Sequence, residues 1–179
     1  LKILVTGGAG FIGSNIVDVY VEAGHQVAIL DNLSTGKKDN INPDARFYHG
    51  DLRDQNLKDI LADFKPEIIN HLAAQIDVRK SVTDPIYNAD VNVLGTLNLL
   101  EAAVKNKVRK IVFSSTGGAL YGEVEKKCGA NEKTSIEPIS PYAITKRSTE
   151  LYLHAYMVNN GLKYTVLRTV MFTARARTR

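Results

Sequence analysis

Tyr142 and Lys146 stand four residues apart in the stretch "SPYAITKRSTE", a spacing that puts two side chains on one face of a helix. Tyrosine ordinarily titrates near pH 10, too high for an efficient base at neutral pH. A cation one turn away and the positive end of a helix both favour the phenolate and lower that value. Pro141 suits the first helical turn, which would put Tyr142 at the helix start. The pair thus has the make-up of a device that moves a proton to or from a hydroxyl. In isolation it is more often the polar face of an ordinary amphipathic helix, because both residues are common on helices, and what precedes it must decide.

A second candidate lies upstream, where "VRKIVFSS" runs into "TGGALYG". A hydroxyl just beyond the carboxyl end of a strand can hydrogen-bond a reacting oxygen. Ser115 and Thr116 both qualify, and either could instead be an ordinary turn hydroxyl.

The segments that must position these groups alternate between strand and helix. "LKILVT" is short, apolar and rich in β-branched residues, and breaks at "GGAGFIG", after which Ile12–Ala23 can form a helix. "HQVAILD", "ARFYHGD", "PEIINHLAA", "VRKIVFSS" and "KYTVLR" supply five more strands. Helices are expected over Gln55–Phe64, Asn88–Asn106 and Pro141–Val158, the second from Val91, Leu94, Leu97 and Ala102 at helical spacing. Strands that are continuous apolar runs belong inside a parallel sheet covered on both faces. Right-handed crossovers then give an α/β, doubly wound, Rossmann-type fold whose ligand lies at the carboxyl ends of the strands.

The turn after the first strand, "TGGAGFIG", carries Gly7, Gly10 and Gly13 in the spacing G-x-x-G-x-x-G. Such glycines allow a tight turn and close approach of a pyrophosphate, while the helix that follows aims amide hydrogens and its positive end at the phosphates. A glycine triplet alone is weak evidence, because it also serves as a plain strand–helix corner. Here the second strand ends at Asp31, 18 residues after Gly13, near the ~20 expected of a ribose-binding carboxylate. Asp31 would accept the adenosine ribose hydroxyls and repel the extra phosphate of NADP, and no arginine follows in "NLSTG" to receive one. The expected cofactor is therefore NAD. The plainer reading of Asp31 is a carboxylate that caps a nearby turn.

The glycine spacing, with "DNLSTG", "GDLRD", "HLAAQ", "NVLGTLNLLEA", "SSTGGALYGE" and "SPYAITK", resembles the extended short-chain dehydrogenase/reductase family, and within it most nearly the UDP-glucose 4-epimerase group. The resemblance runs from Leu1 to Arg168. It implies a dinucleotide-binding domain over residues 1–168, with Phe11, Ile12 and Asn32 joining the glycines and Asp31 in the cofactor set. Asp51 and Leu52 would meet the adenine, Ala73 and Ala74 would line the cleft, and Asn92 would hold its helix and the local network in place. Unaided, Asn92 reads as a polar residue on a solvated helix face. His71, in an apolar run without a nearby metal-type ligand, reads as a packed, hydrogen-bonded histidine rather than a base.

The resemblance selects Thr116 over Ser115 and implies a catalytic set of Thr116, Tyr142 and Lys146. Tyr142 would take the proton of a sugar 4-hydroxyl as hydride leaves C4, Lys146 would hold a ribose hydroxyl and depress the tyrosine, and Thr116 would orient the oxygen. The implied reaction is NAD-dependent epimerisation at C4 of a UDP-sugar, with the cofactor regenerated. Relatives that dehydrate or decarboxylate carry an acidic residue beside this hydroxyl, whereas here the neighbours are Gly117 and Gly118, which favours epimerisation. Alternatives of the same family are another NAD-dependent sugar-nucleotide oxidoreductase or a dehydratase, and of another class a non-catalytic NAD-binding or partner-binding module. A homodimer through the two long helices is also implied.

The chain departs from the family near its end, where "RTVMFTARARTR" puts Met171 in place of a substrate-side asparagine. The expectation is a basic, poorly ordered tail over residues 169–179 and a cofactor half impaired in turnover for want of a carboxyl-terminal substrate domain. The formal charge of +4 rests on that tail, because removing Arg175, Arg177 and Arg179 leaves 20 basic against 19 acidic residues. A balanced body argues against a nucleic-acid partner. Cys128 is the only cysteine, so an internal disulfide is excluded and no metal site is expected. No apolar run approaches the ~18 residues of a membrane span and no charged leader opens the chain, so a cytoplasmic setting without membrane contact is expected.

Overall fold

The structure is a computed structural model that describes residues 1–122 and 130–169. Cys128 and the tail from residue 170, including Met171, lie outside the described residues. Thr169, which the sequence reading gave to the tail, closes the last strand.

Six strands form one parallel sheet: β1 (Lys2–Thr6), β2 (Gln26–Asp31), β3 (Arg46–His49), β4 (Ile68–His71), β5 (Lys110–Thr116) and β6 (Lys163–Thr169). Their order across the sheet is β3-β2-β1-β4-β5-β6, and every neighbouring pair is parallel. This is the doubly wound, Rossmann-type arrangement expected from the alternation of apolar runs and helical periods.

The strands are apolar at nearly every position because both faces of the sheet are covered. Ile3 and Val5 of β1, with Val27 and Ile29 of β2, pack on one side with Val17 of helix α1 (Phe11–Glu22). Leu4, Leu30, Ile69, Ile111 and Phe113 point the other way. They meet Leu61 of α2 (Leu57–Phe64), Leu99 and Leu100 of α5 (Gly95–Lys105) and Leu153 of α6 (Pro141–Asn160). The period of two along each strand thus feeds two cores rather than one core and a wet face.

The segment expected as a single helix from Asn88 to Asn106 is three pieces. Helix α4 (Pro85–Ala89) runs into a π turn over Asp90–Leu94, and α5 follows. Asn92 is 3% exposed, which overturns its reading as a solvated residue, and Leu94, counted in the apolar stripe, is 58% exposed. The inserted residue of a π turn rotates everything beyond it, so the apolar stripe before the turn no longer continues the stripe after it. Helix α3 (Val78–Thr83) is a further element absent from the expectation, capped by Asp77, whose carboxylate accepts from the amides of Arg79 and Lys80.

Leu99 is fully buried in the larger core. Leu99→Ala is expected to cost about 2–5 kcal/mol of folding stability, read from urea denaturation as a lower midpoint with an unchanged slope.

Candidate active site

Every candidate residue of the sequence analysis except Asn92 lines one cleft of about 830 Å³ at the carboxyl end of the sheet. Its floor is the turn between β1 and α1. Gly7 has φ 71°, and a Cβ there would stand 2.8 Å from the Ala73 amide nitrogen. At Gly13 a Cβ would stand 2.1 Å from the Gly7 carbonyl oxygen. The two glycines let the turn fold back on itself and α1 start against it. No side chain caps α1, whose N-cap is Gly10 and whose first turn carries no acid. An uncapped, positive helix end opening into a cleft suits an anion such as a pyrophosphate.

Asp31 ends β2 and is 7% exposed. One carboxylate oxygen accepts from the Ala9 amide at 3.0 Å and the other from the Leu33 amide at 2.8 Å. It therefore caps the turn after β2, as its plainer reading held, and lines the cleft as well. Each oxygen keeps further acceptor capacity for a diol. Beside it the Asn32 side chain donates to Asp51 at 2.7 Å.

Asp51 is gripped by Arg53, whose Nε and Nη2 each donate at 2.8 Å. Those bonds hold the carboxyl well below the usual range against the opposing effect of burial. The Leu52 carbonyl accepts from the Asn98 side chain at 2.7 Å. Arg53 belongs to the "GDLRD" stretch and grips a residue two positions away, whereas Asn98 is a support that no motif announced, because its partners Leu52 and Asp54 lie 46 and 44 residues away in the sequence.

The opposite wall, Ala73–Gln75, is tied to the π turn. Asn92 accepts the Gln75 amide at 2.7 Å and donates back to the Gln75 carbonyl at 3.0 Å. It stands outside the cleft, but its Nδ2 also lies 3.2 Å from the Thr145 hydroxyl, which donates in turn toward Asn88. Gln75, Asn88 and Thr145 complete a buried amide and hydroxyl network of which the sequence showed only one member.

Tyr142 and Lys146 lie one turn apart at the start of α6, after a Ser140 cap and Pro141. The Tyr142 amide donates to the Ser81 hydroxyl of α3 at 3.1 Å. Burial raises the phenol above its ordinary value, while a hydrogen bond from the Thr116 hydroxyl works in the opposite direction. The depression by Lys146 expected from the sequence does not appear in this state. Lys146 is 4% exposed, its Nζ donates to the Ser114 carbonyl at 2.8 Å, and it stands 5.9 Å from the Tyr142 ring centre. Burial pulls the ammonium down to about 8.

The choice between the two β5 hydroxyls has a structural counterpart. Ser115 donates to Glu150 at 2.6 Å, whereas Thr116 turns toward Tyr142. Glu150, two turns beyond Tyr142 on α6, also accepts from Arg147 and from both Nε and Nη2 of Arg168 on β6. Burial would raise this carboxyl, but hydrogen bonds from Arg168, Ser115 and Arg147 prevail and lower it. The network fixes the carboxyl ends of β5 and β6 against α6. Among the described residues no group of three His, Cys, Asp or Glu side chains could hold a metal ion, and no helix is long and apolar enough to cross a membrane.

Sheet order, glycine turn and cleft together define a doubly wound α/β unit of the dinucleotide-binding type. The chain belongs to the NAD dependent epimerase/dehydratase family, whose profile matches residues 3–176. A UDP-glucose 4-epimerase of Mycolicibacterium smegmatis is 47% identical over 161 residues, covering 87% of this chain and 51% of that protein. The UDP-glucose 4-epimerase of Thermus thermophilus, solved with NAD, superposes with a TM-score of 0.92 at 47% identity over 94% of this chain. That of Thermotoga maritima, solved with UDP-glucose, does so with 0.91 at 49% identity over 94%. The chain spans about half the length of these relatives, 54% and 55% of the two solved chains.

The lowered Lys146 gives a signed pH dependence. Between pH 8 and 9.5 the unfolded lysine stays protonated while the folded one loses its proton, so this residue makes stability rise with pH. Urea denaturation across that interval is expected to show a more positive slope for the native chain than for Lys146→Met.

Proposed function

We propose that residues 1–168 form an NAD-binding domain that serves epimerisation at C4 of a UDP-sugar. The observation that carries this reading is the one cleft lined by the glycine turn and Asp31 together with Thr116, Tyr142 and Lys146. The relatives of known activity are in agreement with it. The cradle accepts a dinucleotide because Gly7 and Gly13 keep the floor free of side-chain atoms and Asp31 offers a fixed acceptor pair beside it. NAD, when bound, supplies a reversible hydride acceptor.

The chain's own groups divide the remaining work. Tyr142 carries the proton of the sugar 4-hydroxyl in both directions, and the Thr116 hydroxyl holds the reacting oxygen. Lys146, fixed by the Ser114 carbonyl, has two more N–H donors to orient a ribose hydroxyl and to favour the tyrosinate. Asn92 acts from behind the cleft by fixing Gln75 and Thr145. The same reading assigns a cytoplasmic setting and no nucleic-acid or membrane partner.

Calorimetric titration tests the cofactor assignment. NAD is expected to bind at least tenfold more tightly than NADP, and Asp31→Ala to shrink that preference. Binding of neither dinucleotide would sink the reading. Tyr142→Phe should keep NAD affinity within about threefold while lowering UDP-galactose turnover by about 100-fold or more. Loss of NAD affinity in this variant would mean that the tyrosine is structural.

We further propose a homodimer through α5 and α6. Its support is the apolar surface that α6 leaves uncovered at Ile144, Leu151 and Tyr152. Sedimentation should give twice the chain mass for the native protein and the monomer mass for Leu151→Glu. A native monomer at 100 μM would exclude it.

A further inference from the structure

His71, the last residue of β4, is 1% exposed, and the proton-transfer scheme above makes no use of it. Its ring reaches the Thr6 hydroxyl of β1 through Nδ1 at 2.8 Å and the Thr96 hydroxyl of α5 through Nε2 at 2.9 Å. The direction of each bond follows from counting protons. Thr96 has one hydroxyl hydrogen and gives it to the Asn92 carbonyl, which can only accept, at 2.7 Å. Thr96 must therefore accept from His71, so Nε2 carries a hydrogen. Burial, with the charge of Lys146 adding to it, pushes the imidazole down to about 3, which leaves Nδ1 unprotonated and accepting from Thr6. The Thr6 oxygen in turn faces the Ala73 amide at 3.2 Å, an amide it shares with the Thr6 carbonyl at 3.1 Å.

The result is one directed chain: Ala73 amide to Thr6, Thr6 to His71, His71 to Thr96, and Thr96 to the Asn92 carbonyl. Asn92 closes it into a circuit, because its side chain binds both the amide and the carbonyl of Gln75. The segment Ala73–Gln75, one wall of the cleft, is thereby held at its start through Thr6 and at its end through the π turn. An apolar side chain of the same size would fill the space and lose the bonds to Thr6 and Thr96 that link the two ends.

We propose that His71 is a positioning residue which, as the neutral imidazole protonated at Nε2, fixes the cleft wall Ala73–Gln75 relative to the glycine turn and the π turn. The part of this that concerns ligand affinity rests on the NAD reading above, and the part that concerns the wall does not.

Three measurements test it. Long-range ¹⁵N–¹H spectra of the native chain at neutral pH should show His71 solely as the Nε2–H tautomer, and an Nδ1–H or charged ring overturns the proposal. The triple variant Thr6→Val/His71→Phe/Thr96→Val removes donors and acceptors together and keeps a ring against Phe113, whose centre lies 5.5 Å from that of His71. Matched apolar replacement of this kind leaves no buried group unsatisfied, so folding should survive while the Gln75 amide exchanges at least fivefold faster than in the native chain. NAD should also bind at least tenfold more weakly. Native exchange at Gln75 and native affinity would show His71 to be mere filling.

Should the triple variant fail to fold, the pair Thr96→Val and Thr96→Ser decides by the same exchange measurement. Serine should restore protection at Gln75 and valine should not, and equal protection in both overturns the proposal. A native chain that binds no NAD overturns the cofactor reading alone, with the tautomer and the exchange still judging the wall.

Discussion

Strands β1 and β4 pair side by side, yet the chain leaves them in opposite directions, toward β2 on one hand and β5 on the other. A parallel sheet covered on both faces has to reverse its winding somewhere, and at that reversal the connecting loops part. The cleft is the gap they leave. The candidate groups are placed by reference to it: the glycine turn follows β1, Asp31 ends β2, Ala73 follows β4 and Thr116 ends β5. The helices fix how the walls stand, and the strand order decides that there are walls.

The end of the cleft that holds Tyr142 and Lys146 depends on burying charge at a controlled cost. Lys146 lies over the Phe113 ring with its nitrogen 4.7 Å from the ring centre and gives one hydrogen to the Ser114 carbonyl. That leaves an ammonium buried with a single acceptor among the described residues, a state in which any further acceptor is bound strongly. One turn further along α6, Glu150 is buried but saturated by Ser115, Arg147 and Arg168. The same helix stripe thus holds one charge in reserve and one fully spent on architecture.

Much of this was legible in the sequence because it depends on local rules. The glycine turn, the strand ending at Asp31 and the spacing of Tyr142 and Lys146 are short patterns, and the structure gathers all of them into one cleft. The apolar runs were equally legible, since a strand buried on both faces has no alternation to hide. The π turn was not. Its residues continue a helical period, and the geometry is stabilised from outside by Thr96, Thr149 and Gln75. Helix α3 did leave a signal, an aspartate at each end with a proline after the second, "DVRKSVTDP", that marks one helix start and then another. The state of Tyr142 was illegible for a different reason, because the sequence gives the nearest cation but neither its distance from the ring nor the depth of burial that raises the phenol.

Gly13 has a consequence for how such a chain can vary. A Cβ at that position would overlap the Gly7 carbonyl at 2.1 Å, and backbone rather than a movable side chain occupies the space. Any single-base change that replaces a glycine codon with another amino acid introduces a residue bearing that carbon. The position therefore has no conservative neighbour in the genetic code. A substitute for Gly13 requires the Gly7–Gly8 backbone and the start of the first helix to move apart.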